Sequence, residues 1–520
     1  MKAKIATVSN LLKKARESHP LKEAIYDGYR RMNYMELDKE SDSIAYELIR
    51  MDIKKGDHIA VCLPNWHELT VILFAIAKVG AIMIPINTSY KESEIKYILN
   101  NAKVKAAFLA KEVEDNKLWN HFNSIRQKNK YLNHLISVRF KHKEAVAYEN
   151  ALQLEGQVHV EFPEVSLNDV VLLMYTSGMT GKPKGVMLTN NNLVTLCDIV
   201  VDLLNYTEDD VVLAQLPAFH LFGLHSCILC SVAATSKVVL MEKYKPEKVF
   251  QMIENEKITV HHGVPSMFII ELNHPNLKAY NLNSLRIGFT AGASVPPEII
   301  GKIRDELHFE LLTSYGMTEV STCLTCSRIE DNDYVRSETV GSAVPGVNLK
   351  ILNPVTKKEV RVGEIGEIVA QSPGLMKGYF EMPEKTAEVL TEDGWYMTGD
   401  LGKKDEEGNI KIVGRKNDLI IRGGYNIYPQ EIEEYFYNHD SILEVAIVGL
   451  PDPVLGEVTC AVVTLKGGII VTELDLKKFI QDKIAKYKVP DKIVIVPSIP
   501  KFATGKIDRL KLQEEMKNLI

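Results

Sequence analysis

The chain has 520 residues, of which 46% are hydrophobic and 25% charged, and its formal net charge is −6. This length predicts several domain-sized units, and the composition is ordinary for a soluble globular protein. The slightly acidic balance argues against nucleic acid or an anionic membrane surface as the main partner. Residues 1–20 lack the sustained apolar core of a secretion signal, so we expect a cytoplasmic protein with at most peripheral membrane contact. We also expect a monomer or a homodimer.

The apolar stretch 69–86 is the first segment that could be read in two ways. Lys78 and Gly80 interrupt it, so it predicts a helix followed by a buried strand rather than a membrane span. Asn65 and Glu68 have the spacing of an N-cap pair, and Gly80 is the expected end of the helix.

From the N-terminus to about residue 400, short apolar strands alternate with helical patterns. This alternation predicts an α/β fold with parallel-rich sheets in a large N-terminal domain of several subdomains. The expected strands include 58–63, 80–86, 170–174, 237–241 and 284–289, and the expected helices include 91–100 and 296–307.

The pattern changes near residue 414, after the polar turn 403–409. We expect an N-terminal domain over 1–413, a hinge over 414–417 and a small, mobile α+β domain over 418–520. The small domain is expected to hold a helix opened by Pro429, strands at 445–450, 458–465 and 492–496, and a helix capped by Thr472 with Asp475.

The chain has seven cysteines, an odd number that argues for reduced thiols when no secretion signal is present. Cys227 with Cys230 and Cys323 with Cys326 form two CxxC pairs that could supply four thiolates to zinc. The pairs are far apart in the sequence and neither lies in a glycine-rich knuckle. We therefore expect them to act as small packing residues.

The segment 175–185, YTSGMTGKPKG, has the composition of a loop that wraps a polyphosphate. Glycines let backbone N–H groups approach an anion, and hydroxyl and ammonium groups complete the cradle. Pro183 stands where the Walker pattern requires Ser or Thr, and a flexible surface loop is the alternative reading. The candidate ligands are Thr176, Ser177, Gly178, Thr180, Gly181, Lys182 and Lys184.

Seven motifs in one order resemble the adenylate-forming superfamily, which includes acyl-CoA synthetases, firefly luciferase and the adenylation domains of peptide synthetases. The resemblance implies that ATP activates a carboxylic acid as acyl-AMP with release of pyrophosphate, and that CoA then displaces AMP. The motifs are YTSGMTGKPKG (175–185), PAFHLFG (217–223), AGA (291–293), YGMTE (315–319), TGD (398–400), GRKNDLIIRGGYNIYP (414–429) and PKFATGK (500–506).

The first half-reaction builds charge on the phosphates and needs a metal, cations and oriented amides. The resemblance implies Mg²⁺ with ATP, held by Glu319 and Thr176, while Thr318 contacts the α-phosphate. It also implies that Lys506 bridges the carboxylate and the α-phosphate. Asp400 would accept both ribose hydroxyls, which a carboxylate can do, beside Arg415. The remaining nucleotide contacts implied are Gly292, Ala293, Tyr315, Gly316 and Met317.

The acyl pocket implied by the resemblance is apolar. His220 would lie near the reacting carboxylate, but not as a general base, because that carboxylate is already ionised at pH 7. The pocket list has no Arg or Lys to pair a second carboxylate, which favours an apolar acid over malonate or succinate. The segment GGYNIYP and the overall pattern resemble fatty acyl-CoA synthetases, and this resemblance implies a medium- or long-chain fatty acid. An aryl acid of the coumarate or benzoate type is the alternative. The pocket residues are Phe219, His220, Phe222, Gly223, Leu224, Val264, Met267, Phe268, Met317 and Val320.

The thioester step is implied by Gly423 and Gly424, which resemble the lining of a pantetheine tunnel. Asn417 occupies the hinge position, where the family mostly has Asp or Lys, and Met179 replaces a usual hydroxyl. An acyl-AMP ligase that loads an acyl carrier protein stays open as an alternative. Retention of Lys506, Glu319 and Asp400 disfavours a non-catalytic nucleotide-binding protein.

Overall fold

The computed structural model describes residues 6–154, 161–176, 183–291, 297–423, 425–467, 471–481, 483–502 and 507–519. The strands of these residues, numbered along the chain, are β1 (Glu23–Tyr26), β2 (Arg31–Asn33), β3 (His58–Cys62), β4 (Ile82–Pro85), β5 (Ala106–Leu109), β6 (His134–Ser137), β7 (Val146–Ala147), β8 (Val170–Thr176), β9 (Lys184–Thr189), β10 (Val211–Ala214), β11 (Lys237–Leu240), β12 (Val260–His261), β13 (Ile287–Thr290), β14 (Glu310–Tyr315), β15 (Thr325–Cys326), β16 (Ser342–Ala343), β17 (Asn348–Leu352), β18 (Gly366–Gln371), β19 (Gly378–Tyr379), β20 (Tyr396–Lys404), β21 (Ile410–Arg415), β22 (Ile420–Arg422), β23 (Tyr425–Ile427), β24 (Ile442–Asp452), β25 (Gly456–Leu465) and β26 (Lys492–Ile495).

Helices separate most of these strands. The α-helices are α1 (Val8–Ser18), α2 (Tyr34–Arg50), α3 (His67–Val79), α4 (Glu92–Asn101), α5 (Leu118–Arg126), α6 (Tyr148–Ala151), α7 (Asn190–Leu203), α8 (Cys230–Ala233), α9 (Pro246–Glu256), α10 (Pro265–Leu272), α11 (Pro297–Lys302), α12 (Asp333–Glu338), α13 (Pro383–Val389), α14 (Pro429–Tyr437), α15 (Glu473–Gln481) and α16 (Arg509–Leu519). Phe222–Leu229 and Ile303–Leu307 are π-helical, and Leu152–Leu154, Leu277–Ala279, Thr318–Val320 and Lys486–Lys488 are 3₁₀ turns.

Two large sheets carry the first part of the chain, and both are rich in parallel pairs, which confirms the α/β prediction. Within the described residues one sheet has the order β19-β9-β8-β4-β3-β5-β6-β7 and the other β16-β15-β14-β13-β12-β10-β11-β1-β2. β3 to β7 pair in parallel, as do β10 to β14 with β1. β8 and β9 pair antiparallel, so the predicted phosphate loop joins two strands of a hairpin rather than a strand and a helix.

Two smaller sheets follow along the chain. The antiparallel sheet β17-β18-β20-β21 ends at Arg415, and a separate sheet of β22 to β26 begins at Ile420. The second of these sheets packs with α14, α15 and α16 around apolar cores drawn from residues after 419. Thr472 and Asp475 bond each other's backbone N–H groups at the start of α15, as their spacing predicts. The domain limits themselves stay a prediction.

The prediction that Asn65 caps the start of α3 was wrong. The helix begins at His67 after Trp66, and the Asn65 side chain instead donates to the carbonyls of Ala214 and Leu216 at 2.9 Å each. A tertiary contact between the two large sheets therefore takes the side chain that a local rule assigned to capping. Gly80 ends the helix with φ 70°, as expected.

Lys78 explains why the apolar stretch after residue 69 is a core helix. Its ammonium lies 2.6 Å from Asp38 Oδ1, 2.6 Å from Ser41 Oγ and 2.7 Å from Asp42 Oδ1, on neighbouring α2. A buried ammonium requires such partners. Here they come from another helix of the protein, so the segment packs in the protein core rather than in a membrane. Among the described helices, none is long and apolar enough to cross a membrane.

Candidate active site

Asp400 lies where the large and small sheets meet. Its carboxylate accepts a 2.7 Å hydrogen bond from the Tyr315 hydroxyl and lies 3.2 Å from Arg415 Nε. Tyr315 ends β14, whereas Asp400 and Arg415 are direct partners across β20 and β21. Thr398 Oγ accepts from the Asp400 N–H at 3.1 Å and fixes the turn. The sequence motifs YGMTE and TGD are thereby brought together, with an aromatic ring, a carboxylate and a guanidinium side by side.

Arg415 is 55% exposed, whereas the Asp400 side chain is 9% exposed. Burial and the neighbouring Asp400 charge raise the pKa of Tyr315 well above its usual value, so the phenol stays a hydrogen-bond donor to the carboxylate. The exposed guanidinium can move without unmaking the Tyr315 contact. The carboxylate thus contacts Tyr315 through Oδ2 and Arg415 through Oδ1.

The turn after Tyr315 is packed against its own backbone. A Cβ at Gly316 would lie 1.6 Å from the Thr322 carbonyl oxygen, so only glycine fits there. Ser321 and Thr322 have φ of 57° and 109°, and the latter value is strained for a β-branched residue. The Ser321 hydroxyl donates to the Gly374 carbonyl at 2.8 Å. This backbone conformation sets the direction of the side chains in the intervening turn Thr318–Val320.

Glu319 lies in that turn and accepts hydrogen bonds from the segment around residues 376–379. The Tyr379 hydroxyl donates to Glu319 Oε1 at 2.9 Å, and the Met376 N–H donates to the Glu319 carbonyl at 2.8 Å. β19 pairs Tyr379 with β9, and the Lys184 ammonium lies 4.7 Å from the centre of the Tyr379 ring. The strand that leaves the predicted phosphate loop is therefore connected to the glutamate through one tyrosine.

Part of the predicted site lies outside the described residues. Thr176 and Lys184, at the two ends of the loop, are partners in the β8–β9 hairpin. Asn417 is exposed after β21, and Gly423 has φ 55°. Ser177, Gly178, Thr180, Gly181, Lys182, Gly292, Ala293, Gly424 and Lys506 lie outside the described residues, so their roles stay predictions.

The donor set at the loop fits Mg²⁺. Glu319 offers a carboxylate and Thr176 a hydroxyl, and both are hard oxygen ligands of the kind Mg²⁺ binds together with phosphate oxygens. Glu319 Oε1 uses one hydrogen bond from Tyr379. A carboxylate has room for about four such contacts, so this bond leaves coordination capacity.

Phe222, one of the predicted pocket residues, belongs to an aromatic cluster. The Phe222 and Phe289 rings stack at 5.2 Å between centres, and His262 lies 4.3 Å from Phe289. His262 Nδ1 accepts from the Phe289 N–H at 3.1 Å, and its Nε2 faces the Tyr206 hydroxyl at 2.5 Å. Burial lowers the pKa of His262 to about 3, so the ring is neutral at physiological pH. The cluster is uncharged and apolar on the Phe222 side.

The predicted pocket residues do not all belong to one group. Phe222, Val264, Met267, Met317 and Val320 pack on the same core, whereas Phe268 belongs to a second core with Phe309. Phe219 and His220 are half-buried, and the Phe222 N–H donates to His220 Nδ1 at 3.2 Å. Gly223 and Leu224 are buried in the π-helical turn.

Sequence reasoning missed several residues of the site. Tyr379, Thr322 and His262 belong to none of the seven motifs and are not among the predicted pocket residues. The dipeptide Gly378-Tyr379 was a usable signal, because a glycine before an aromatic in a short strand often marks a close approach. Thr322 could not be found, because its strain depends on the turn around Gly316.

Comparisons with known proteins identify the chain's relatives. The model of the AMP-binding enzyme family matches residues 12–380, and the model of the AMP-binding enzyme C-terminal domain matches residues 431–506. The protein YngI of Bacillus subtilis (strain 168) is 34% identical over 539 residues, covering 99% of this chain and 98% of its own. The mitochondrial medium-chain acyl-CoA ligase ACSF2 of Rattus norvegicus is 31% identical over 540 residues, covering 98% of this chain and 87% of its own.

A solved structure resembles the whole chain. The ATP-bound MatB of Rhodopseudomonas palustris superposes with a TM-score of 0.89 at 28% identity and covers 98% of this chain and 99% of its own. The likeness therefore extends across both matched regions and the segment that joins them.

We predict that Gly316→Ala displaces the turn Thr318–Val320, because the new methyl group collides with the Thr322 carbonyl. Overpacking of this kind costs about 1–3 kcal/mol of stability. The temperature of thermal unfolding and the affinity for AMP, both measured by calorimetry, should decrease. Gly301→Ala is the matched control: a Cβ there meets nothing within 4 Å, and alanine in a helix should be neutral or stabilising by up to about 1 kcal/mol. Unchanged AMP affinity in Gly316→Ala would contradict the role assigned to the turn.

Proposed function

The chain belongs to the family of AMP-binding enzymes, and on that basis we propose that it activates a medium- or long-chain fatty acid as acyl-AMP and transfers the acyl group to CoA. It is an AMP-forming acid–thiol ligase by its relatives. The observation that supports the proposal is the contact of Tyr315, Asp400 and Arg415, with Glu319 in the turn that follows Tyr315. This contact groups the residues that we propose for the ribose with the residue that we propose for the metal.

The chemistry explains why these groups are needed. A carboxylate has no leaving group until it attacks the α-phosphate of ATP and expels pyrophosphate. Asp400 accepts the ribose hydroxyls and fixes the nucleotide, with Arg415 beside it. Thr318 contacts the α-phosphate as negative charge develops. Glu319 and Thr176 would hold Mg²⁺, and the bound ion would supply positive charge to the phosphates.

The phosphate loop and the tail lysine complete the proposed first step. The 175–185 loop would bind the β- and γ-phosphates. Lys184, near the end of this loop, has its ammonium over the ring of Tyr379. Lys506 would bridge the acid and the α-phosphate, bringing a positive charge to the atoms that react. His220, half-buried beside Phe222, would bound the pocket where the carboxylate enters.

The apolar pocket supports the substrate class. Phe222, Val264, Met267 and Met317 pack on one core with a neutral His262 behind them, and no positive side chain among them could pair a second carboxylate. The name of ACSF2, a medium-chain acyl-CoA ligase, agrees with this class. The stacked pair of Phe222 and Phe289 would also suit a flat aryl acid, which keeps that class as the second candidate.

Two arrangements of the small domain would serve the two steps. Lys506 and Gly424 both belong to the proposed domain 418–520, but the first serves adenylation and the second the entry of the thiol of CoA. We propose a rotation about 414–417, where Asn417 is exposed and the antiparallel sheet has ended. Arg415, which contacts Asp400 from the last strand before the turn, links the rotation to the nucleotide.

An acid panel tests the substrate class. With ATP, Mg²⁺ and acids from acetate to decanoate, kcat/KM for pyrophosphate release should increase about fourfold per added methylene over short chains, because each buried CH₂ contributes about 0.8 kcal/mol. CoA should then release AMP and form the thioester, while a carrier protein should not. Preference for acetate or malonate refutes the fatty-acid class. Preference for benzoate or coumarate selects the aryl class.

Lys506→Ala should slow adenylation but not thioester formation. Adenylation should decrease about a hundredfold or more, equivalent to about 3 kcal/mol, because a charge contact to the transition state is lost. Thioester formation from acyl-AMP supplied directly should hardly change. Single-turnover assays of both steps measure this, with Lys517→Ala as the control, an exposed lysine near the end of α16. Equal losses in both steps would contradict the role of Lys506.

A further inference from the structure

A group of cysteine and histidine side chains of the kinds that can bind a metal ion lies in the core, apart from the proposed phosphate site. Cys197 on α7, His225 in the π-helical turn and Cys230 at the start of α8 are fully buried, and one ligand atom of each lies within 4.8 Å of the other two. Cys197 Sγ is 3.3 Å from His225 Nε2, and Cys230 Sγ is 3.8 Å from His225 Nδ1. The proposed ligase reaction uses none of the three.

The π-helical turn creates this grouping. Positions five residues apart point about 140° away from each other around an α-helix, so His225 and Cys230 would not share a face in regular helix. Here the Cys230 N–H donates to the His225 carbonyl, five residues earlier, and the wider turn brings the two side chains to one side. Wide turns of this kind occur often at functional sites.

The electrostatics of the cluster differ from those of packed thiols. Burial alone raises the pKa of a thiol, and it does so for Cys227, to about 12. At Cys197 burial is outweighed by hydrogen bonding with Cys230 and by the His225 charge, which lower the pKa to about 6. Burial and the contact with Cys197 raise the pKa of Cys230, so the two thiols of the cluster differ from each other.

We propose that Cys197, His225 and Cys230 bind one thiophilic metal ion of the Zn²⁺ class. Two thiolates and an imidazole are soft and borderline ligands that select such ions over Mg²⁺. An ion about 2.0–2.1 Å from a nitrogen and about 2.3 Å from a sulfur joins ligand atoms roughly 3.5 Å apart, close to the 3.3 Å between Cys197 and His225. Rotation of the Cys230 side chain supplies the third ligand.

The surroundings of His225 also suit a metal ligand. Its Nε2 lies 3.0 Å from the Leu193 carbonyl, where the ion would replace the ring proton. Its other nitrogen, Nδ1, lies 3.4 Å from Thr322 Oγ1, and a metal-bound histidine commonly donates from its second nitrogen to such a neighbour. Because Thr322 is the strained end of the Gly316 turn, an ion at this site would lie directly behind the turn that carries Glu319.

Metal content of the full-length protein tests the proposal independently of ligase activity. The protein is produced with added Zn²⁺, purified under reducing conditions and measured by elemental mass spectrometry. We expect about one zinc per chain, reduced at least tenfold in Cys197→Ser and Cys230→Ser. Cys227→Ser is the matched control, because Cys227 is buried in the same turn but lies outside the cluster, and its zinc content should match the parent. Co²⁺ in place of Zn²⁺ should add thiolate charge-transfer absorption.

Several outcomes would overturn the proposal. One is a parent protein with reduced thiols that holds no zinc, before or after refolding with Zn²⁺. Another is zinc that persists in both Cys197→Ser and Cys230→Ser. A third is peptide mapping that finds a Cys197–Cys230 disulfide without bound ion, which would make the pair a thiol couple. If the serine variants do not fold, zinc removal from the parent by a chelator must lower its unfolding temperature, and no shift overturns the site.

Discussion

The Asp400 carboxylate joins three parts of the chain. Through Tyr315 it is bonded to the end of β14 in a large parallel sheet, and through Arg415 to the last strand before the proposed hinge. A mostly buried carboxylate requires such partners, because burial disfavours its charge. The same partners fix the carboxylate that we propose for the ribose hydroxyls. If that assignment is correct, the contacts that stabilise this part of the fold also serve nucleotide binding.

The Gly316 turn is the second constraint, because its backbone is packed closely around the segment that carries Glu319. Thr322 at φ 109° is held from several sides: its carbonyl packs on Gly316, its hydroxyl faces His225, and the neighbouring Ser321 is bonded to Gly374. Strain of this kind persists only where the surroundings fix it. Thr322 thus lies between the proposed metal cluster and the turn that carries Glu319.

The sequence predicted the parallel-rich fold and several strands of each domain, because hydrophobic period is a local signal. The roles of the motifs around Asp400 were implied by the resemblance to the adenylate-forming superfamily. It did not predict contacts between distant segments. Asn65 bonds the other large sheet instead of capping α3, Phe268 packs in a second core, and Tyr379 reaches Glu319 from a short edge strand. The cluster of Cys197, His225 and Cys230 was also not predicted, since a π-helical turn has no sequence signature and the CxxC spacing paired Cys230 with Cys227 as packing residues.

Calorimetric binding of AMP and of 2′,3′-dideoxy-AMP to the parent and to Asp400→Ala tests the central claim most directly. Hydrogen bonds to a charged group contribute about 1.5–3 kcal/mol each, so the parent should prefer AMP by at least about tenfold. Asp400→Ala should bind both nucleotides with nearly equal, weaker affinity. Equal affinities in the parent, or a full preference for AMP retained in Asp400→Ala, would contradict the assignment of Asp400 to the ribose.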